Sequence, residues 1–89
     1  MFHTIETVVA LPGYKLSVLF RSGERKVYDV GALMERREEF LPLRLTRGLF
    51  EQAEVAGGGY GVCWNDEIDL SCNELYANGK AADEAEGAT

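Results

Sequence analysis

A chain of 89 residues with 46% apolar and 10% aromatic side chains has the material for one compact domain and too little for an elaborate buried active site. No stretch nears the roughly 20 apolar residues of a membrane helix; Ile5–Leu11 comes nearest but is broken by Glu6, closed by Pro12 and preceded by no basic region, so no signal peptide is expected and the cytoplasm is the expected compartment. The net charge of −6 is unevenly spread: residues 1–59 carry eight acidic and eight basic side chains, residues 60–89 seven acidic and one basic, which opposes general binding to phosphate backbones and suits a basic protein partner.

Thr4 to Leu11 is rich in β-branched residues and ends at Pro12-Gly13, which fits the central positions of a type II turn. It reads as a first strand. Tyr14, Leu16, Val18 and Phe20 then alternate with Lys15, Ser17, Leu19 and Arg21, the period-2 pattern of a half-covered sheet. Ser22-Gly23 supplies a tight turn into a third strand over Arg25–Val30, which completes an antiparallel meander. From Gly31 the period changes to three and four, predicting a short helix over 31–37 that Pro42 prevents from extending. Phe40, Leu43, Leu45, Leu49 and Phe50 are expected to plug the open face of the sheet through a second helical turn.

Glu54–Ala56 and Tyr60–Trp64 predict a second hairpin, joined through the glycines 57–59, and Asn65-Asp66 turns the chain into Ile68-Asp69-Leu70. Ser71 followed by Glu74 is a capping box, with Leu70 and Leu75 at the hydrophobic-staple positions, so a final helix starts at Ser71 and is ended by Asn78-Gly79. Residues 80–89 offer only alanine as apolar material and read as a disordered acidic tail. The expected architecture is α+β: an antiparallel meander and a second hairpin packed in two layers against two or three short helices, one domain over residues 1–79.

Candidate chemistry is sparse. His3 is the only histidine and lies near the terminus, where preorganised geometry is uncommon, so a Cys-His or Ser-His-Asp arrangement is not expected. Cys63 and Cys72 read as two reduced thiols, and neither a metal nor a cofactor is called for, since the spacings that mark zinc sites are absent. The glycine run at 57–61 has Val62 where a GxGxxG loop needs its third glycine. Asp66, Glu67 and Asp69 could form a hard-cation or acid/base group, but a solvated turn accounts for them better; Asp69 stands before the final helix, where it could accept backbone N–H bonds or complement the helix dipole. Trp64 is expected in the core. Arg36, Arg37, Arg44 and Arg47 are the one basic concentration, interleaved with Glu35, Glu38 and Glu39; they fit a protein interface better than a nucleic-acid surface.

Taken in order, Tyr14-Lys-Leu-Ser-Val-Leu-Phe with Ser22-Gly23, then Leu43 and Phe50, then Val62-Cys-Trp-Asn-Asp with Asp69-Leu70 and Leu75-Tyr76, the chain resembles the bacterial DUF2442 family over roughly residues 4–76. It departs from the family pattern at Asn65-Asp66, where a glycine-containing turn is usual. The resemblance implies a small α+β domain of unknown function, found alone or joined to a helix-turn-helix, in some cases encoded beside another small protein as toxins and antitoxins are. Too little chain follows the matching region for a helix-turn-helix, so DNA binding is not expected. The expected function is that of a non-enzymatic protein-interaction or regulatory module, antitoxin-like, with a basic protein partner met through Arg36, Arg37, Arg44, Arg47, Asp66 and Glu67 or through a free sheet edge, which could also close a homodimer. The alternative is a small-ligand sensing module with a pocket between the sheet and the Phe40–Phe50 segment.

Overall fold

The computed structural model describes residues 3–81. Strands β1 (Ile5–Leu11), β2 (Lys15–Phe20) and β3 (Arg25–Asp29) form the antiparallel meander, extended by β7 (Lys80–Ala81) on β3; β4 (Glu54–Val55), β5 (Gly61–Cys63) and β6 (Asp69–Ser71) form a second antiparallel sheet in that order. Three short helices complete the α+β fold among the described residues: α1 (Val30–Met34), α2 (Pro42–Leu45) and α3 (Cys72–Asn78), with 3-10 turns at Glu38–Phe40, Phe50–Gln52 and Gly57–Gly59. None of the helices is long and apolar enough to cross a membrane.

The alternation in β2 sets the core. Leu16, Val18 and Phe20 are fully buried, and Ile5, Tyr28, Val30, Val62, Trp64, Leu70 and Leu75 close over them. On the other face Ser17 is covered as well, its hydroxyl taking a hydrogen bond from Arg25 Nη1 at 3.1 Å. Tyr14 does not open β2 as its place in the alternation predicts. It lies in the turn with φ 59°, after Gly13 at φ 81°, and Leu11 faces Lys15 across a three-residue loop. Its carbonyl accepts from the amides of Val30 and Gly31 at 2.9 and 3.1 Å, fastening the start of α1 to the hairpin. Helix α1 is capped by Asp29, which accepts from the Ala32 amide, and it stops at Met34, short of the expected 37.

Phe40, Leu43 and Phe50 do plug the core and Leu49 is half-buried, but Leu45 points outward with 76% of its surface exposed. The short α2 can turn only part of its circumference inward, and Leu43 occupies that part. The second hairpin pairs Val55 with Val62. Asn65 makes the next turn, its Oδ1 accepting from the amides of Glu67 and Ile68 at 2.8 and 2.9 Å, a job for which its short amide side chain is suited.

Helix α3 starts as the sequence predicts, with the Ser71 hydroxyl accepting from the Glu74 amide at 3.1 Å. The reciprocal arm of the capping box is absent: Glu74 Oε2 instead accepts from the Tyr28 hydroxyl at 2.7 Å and from Asn78 Nδ2 at 3.0 Å. Nor does Gly79 end the helix by a left-handed residue, for its φ is −75°. A side chain there would press on the Leu75 carbonyl and the Lys26 stem, so the glycine serves close approach. Lys80 and Ala81, expected in the tail, pair with Val27 and Lys26; the rest of the expected tail, from residue 82, lies outside the described residues.

Candidate interaction surface

Among the described residues, two clefts stand out. The first, of about 450 Å3, lies between the β1–β2 turn and the Phe50 turn and is bordered by Leu11, Pro12, Tyr14, Phe50 and Glu51. The Tyr14 and Phe50 rings meet edge to face at 5.2 Å, and the Arg44 guanidinium stands 5.6 Å from the Tyr14 ring. This is where the sheet meets the end of the Phe40–Phe50 segment.

The second cleft, of about 460 Å3, runs beside β6 and is bordered by Arg37, Tyr60, Asp69, Ser71 and Glu74 among others. Strand β6 ends its sheet, with only β5 beside it. Asp69 lies exposed on this strand, and its carboxylate accepts no hydrogen bond from the described residues, so the capping duty anticipated for it falls to Ser71 alone. Glu74, one turn into α3, is half-buried and oriented by its two donors. Burial, and then the bond to the Glu74 carboxylate, hold the Tyr28 hydroxyl well above the ordinary tyrosine range. Tyr60 is 62% exposed, yet its ring lies over Gly58, where a side chain would collide with it.

Arg37, the cation of this cleft, bonds Glu39 through Nε and Nη2, both at 3.1 Å, and stands 5.3 Å from the Phe40 ring. The bidentate bond to Glu39 holds its guanidinium above the usual arginine value. The anticipated surface residues are therefore dispersed: Arg37 borders the β6 cleft, Arg44 flanks Tyr14 at the other, and Arg36 and Arg47 are exposed on turns. Asp66 and Glu67 lie exposed in the Asn65 turn, bordering neither cleft. Trp64, expected in the core, is buried and donates its indole N–H to the Phe50 carbonyl at 3.0 Å.

Sequence reading missed the cluster around Tyr76. Its ring stacks on His3 at 3.5 Å, Lys26 Nζ stands 3.8 Å from its centroid, and its hydroxyl donates to Glu24 at 2.8 Å; that bond to the Glu24 carboxylate raises its pKa. His3, expected to be loosely held, is thus fixed, and its carbonyl accepts a hydrogen bond from the Cys72 thiol at 2.7 Å. Burial pushes that thiol up, and both cysteines are free.

A family model described as a protein of unknown function, DUF2442, matches residues 5–81. A crystal structure from Nitrosomonas europaea ATCC 19718, of a protein provisionally described as DNA-binding, superimposes with a TM-score of 0.74 at 26% identity, over 97% of this chain and 53% of that one. The chain therefore spans about half the length of that protein. None of the curated proteins is significantly similar to it.

Proposed function

The chain belongs to the DUF2442 family, and from that footing we propose that it is a non-enzymatic module that binds another protein and regulates it, as an antitoxin does its toxin. One observation carries the reading: the charge is balanced through residue 59 and almost wholly acidic beyond it. An excess of one sign on one part of a small domain attracts and orients a partner of the other sign, and it acts on association rate and partner choice more than on fold. The partner is accordingly a basic protein. DNA binding, provisionally attributed to the Nitrosomonas europaea protein of which this chain matches 53%, is not part of the proposal, because the arginines here sit among carboxylates and Arg37 is already paired with one.

The test is affinity capture of the tagged chain at native expression and moderate salt. A stoichiometric small basic protein should be recovered, and lost when Asp66, Glu67, Asp69 and Glu74 are together replaced by Asn and Gln. Repeated empty capture would overturn the reading. A second reading, small-ligand binding, is supported by the cleft at Tyr14 and Phe50. A compound that raises the melting temperature of the chain, and fails to do so after Phe50→Leu, would favour it.

A further inference from the structure

The cleft beside β6 couples an open strand edge to unneutralised charge. The Leu70 carbonyl approaches β5 at Gly61, the Ile68 carbonyl bonds the Trp64 amide, and the Cys72 amide bonds the Tyr60 carbonyl. Residues 68, 70 and 72 thus turn their backbone groups toward β5. By the two-residue period of a strand, the amide and carbonyl of Asp69 and the amide of Ser71 face the other way. None of these three groups is bonded to another described residue outside its own strand or helix, and both residues are exposed. Such an edge is a template for an added strand.

Side chains around this edge select one sign of charge. Asp69 and Glu74 border the cleft and make no ion pair among the described residues, whereas Arg37 is satisfied by Glu39. Asp69 therefore remains as uncompensated charge, and Glu74, held by Tyr28 and Asn78 and within electrostatic reach of Arg37 but in no ion pair, adds a second carboxylate. The Tyr60 ring, seated on Gly58 and 62% exposed, offers a face on which a planar cation can stack. An anion would meet the two carboxylates at close range, and an apolar group would desolvate them without return.

The geometry points to this cleft as the seat of an arginine side chain carried on an extended segment of a basic protein partner, the segment laid along the free edge of β6. This rests on the protein-binding reading above and narrows it to one surface and one recognition mode. Asp69 and Glu74 take the guanidinium and Tyr60 stacks on it, while the Asp69 and Ser71 backbone groups bond the main chain of the segment.

The test is a titration of the isotope-labelled full chain, by amide NMR, with a capped tetra-arginine peptide. The resonances of residues 60–62 and 69–74 should shift saturably. Asp69→Asn, an exposed change whose spectrum reports whether the fold is intact, should weaken binding about fivefold, while the double change Glu35→Gln and Glu54→Gln, at exposed carboxylates outside both clefts, should leave it unaltered. Equal weakening by both variants, shifts scattered over the acidic surface, absence of saturable shifts, or the same shifts with a short DNA duplex would each overturn the assignment. The two readings can fail separately. A partner captured equally well by the Asp69→Asn chain removes the cleft and leaves protein binding standing, while an empty capture with the unaltered chain removes protein binding itself.

Discussion

Trp64 and Tyr28 illustrate two ways in which a polar aromatic side chain fits a small core. The Trp64 indole is buried and its one donor is used on the Phe50 carbonyl, so the residue fixes the Phe50 turn as well as filling volume. Trp64→Ala should cost about 3–5 kcal/mol through the cavity it leaves. Trp64→Phe should cost about 1–3 kcal/mol, chiefly through the unpaired carbonyl. Urea denaturation of both variants measures this, and a Trp64→Phe loss near zero beside a large Trp64→Ala loss would assign the residue a packing role alone. Tyr28 places its hydroxyl against the Glu74 carboxylate, and both burial and that carboxylate raise its pKa. Because the folded pKa lies above the unfolded one, the stabilisation is fully present below about pH 10 and is lost as pH rises beyond it. Stability measured across the alkaline range should therefore fall more steeply for the wild type than for Tyr28→Phe. Burial of the Cys72 thiol should likewise leave Cys63 the first to be alkylated by a maleimide, as mass spectrometry of the partly labelled chain would report. That Trp64 is a core residue was readable from its strand; its bond to Phe50, fourteen residues away, was not, because local pattern carries no information about which carbonyl a buried donor meets.

At the level of elements, local chemistry was legible and its long-range diversions were not. Ser71 caps α3 as its position predicts, and Ser71→Ala should cost about 1 kcal/mol. Glu74 has the spacing of a capping-box partner yet bonds Tyr28, forty-six positions earlier; the tertiary contact prevails over the local one, since a phenol held in the core has fewer alternatives than an amide near solvent. A double-mutant cycle between Glu74→Gln and Tyr28→Phe should accordingly show coupling of about 1 kcal/mol, whereas Ser71→Ala and Tyr28→Phe should add. The strand β7 escaped the sequence reading for a similar reason: two residues without a periodic pattern give no signal, and only the return of the chain beside β3 makes them a strand. A chain ending at Gly79 should be less stable than one ending at Ala81 by about 1 kcal/mol, the net value of a backbone hydrogen bond or two. Identical thermal midpoints would restore the shorter domain boundary.

Over the whole molecule, charge is unevenly divided along the chain. The asymmetry between the two parts of the sequence was countable from composition, but the folding of Arg37 onto Glu39, which leaves Asp69 and Glu74 without an ion pair among the described residues of the β6 cleft, depends on a backbone turn that composition does not encode. It also dispersed the four arginines that sequence proximity had grouped. An interaction governed by that cleft is exposed to solvent and must respond to screening, whose range contracts from about 14 Å to about 4 Å as salt rises from roughly 50 to 500 mM. Association with the captured basic partner should weaken by on the order of tenfold across that interval, with most of the change in the association rate, because long-range attraction acts before contact is made. A ligand of the apolar cleft at Tyr14 and Phe50 would bind almost independently of salt, or more tightly where the salt strengthens apolar burial. Surface-captured binding kinetics at several salt concentrations thus separate the two readings: a flat association rate would place recognition in the apolar cleft, and a steep one beside β6.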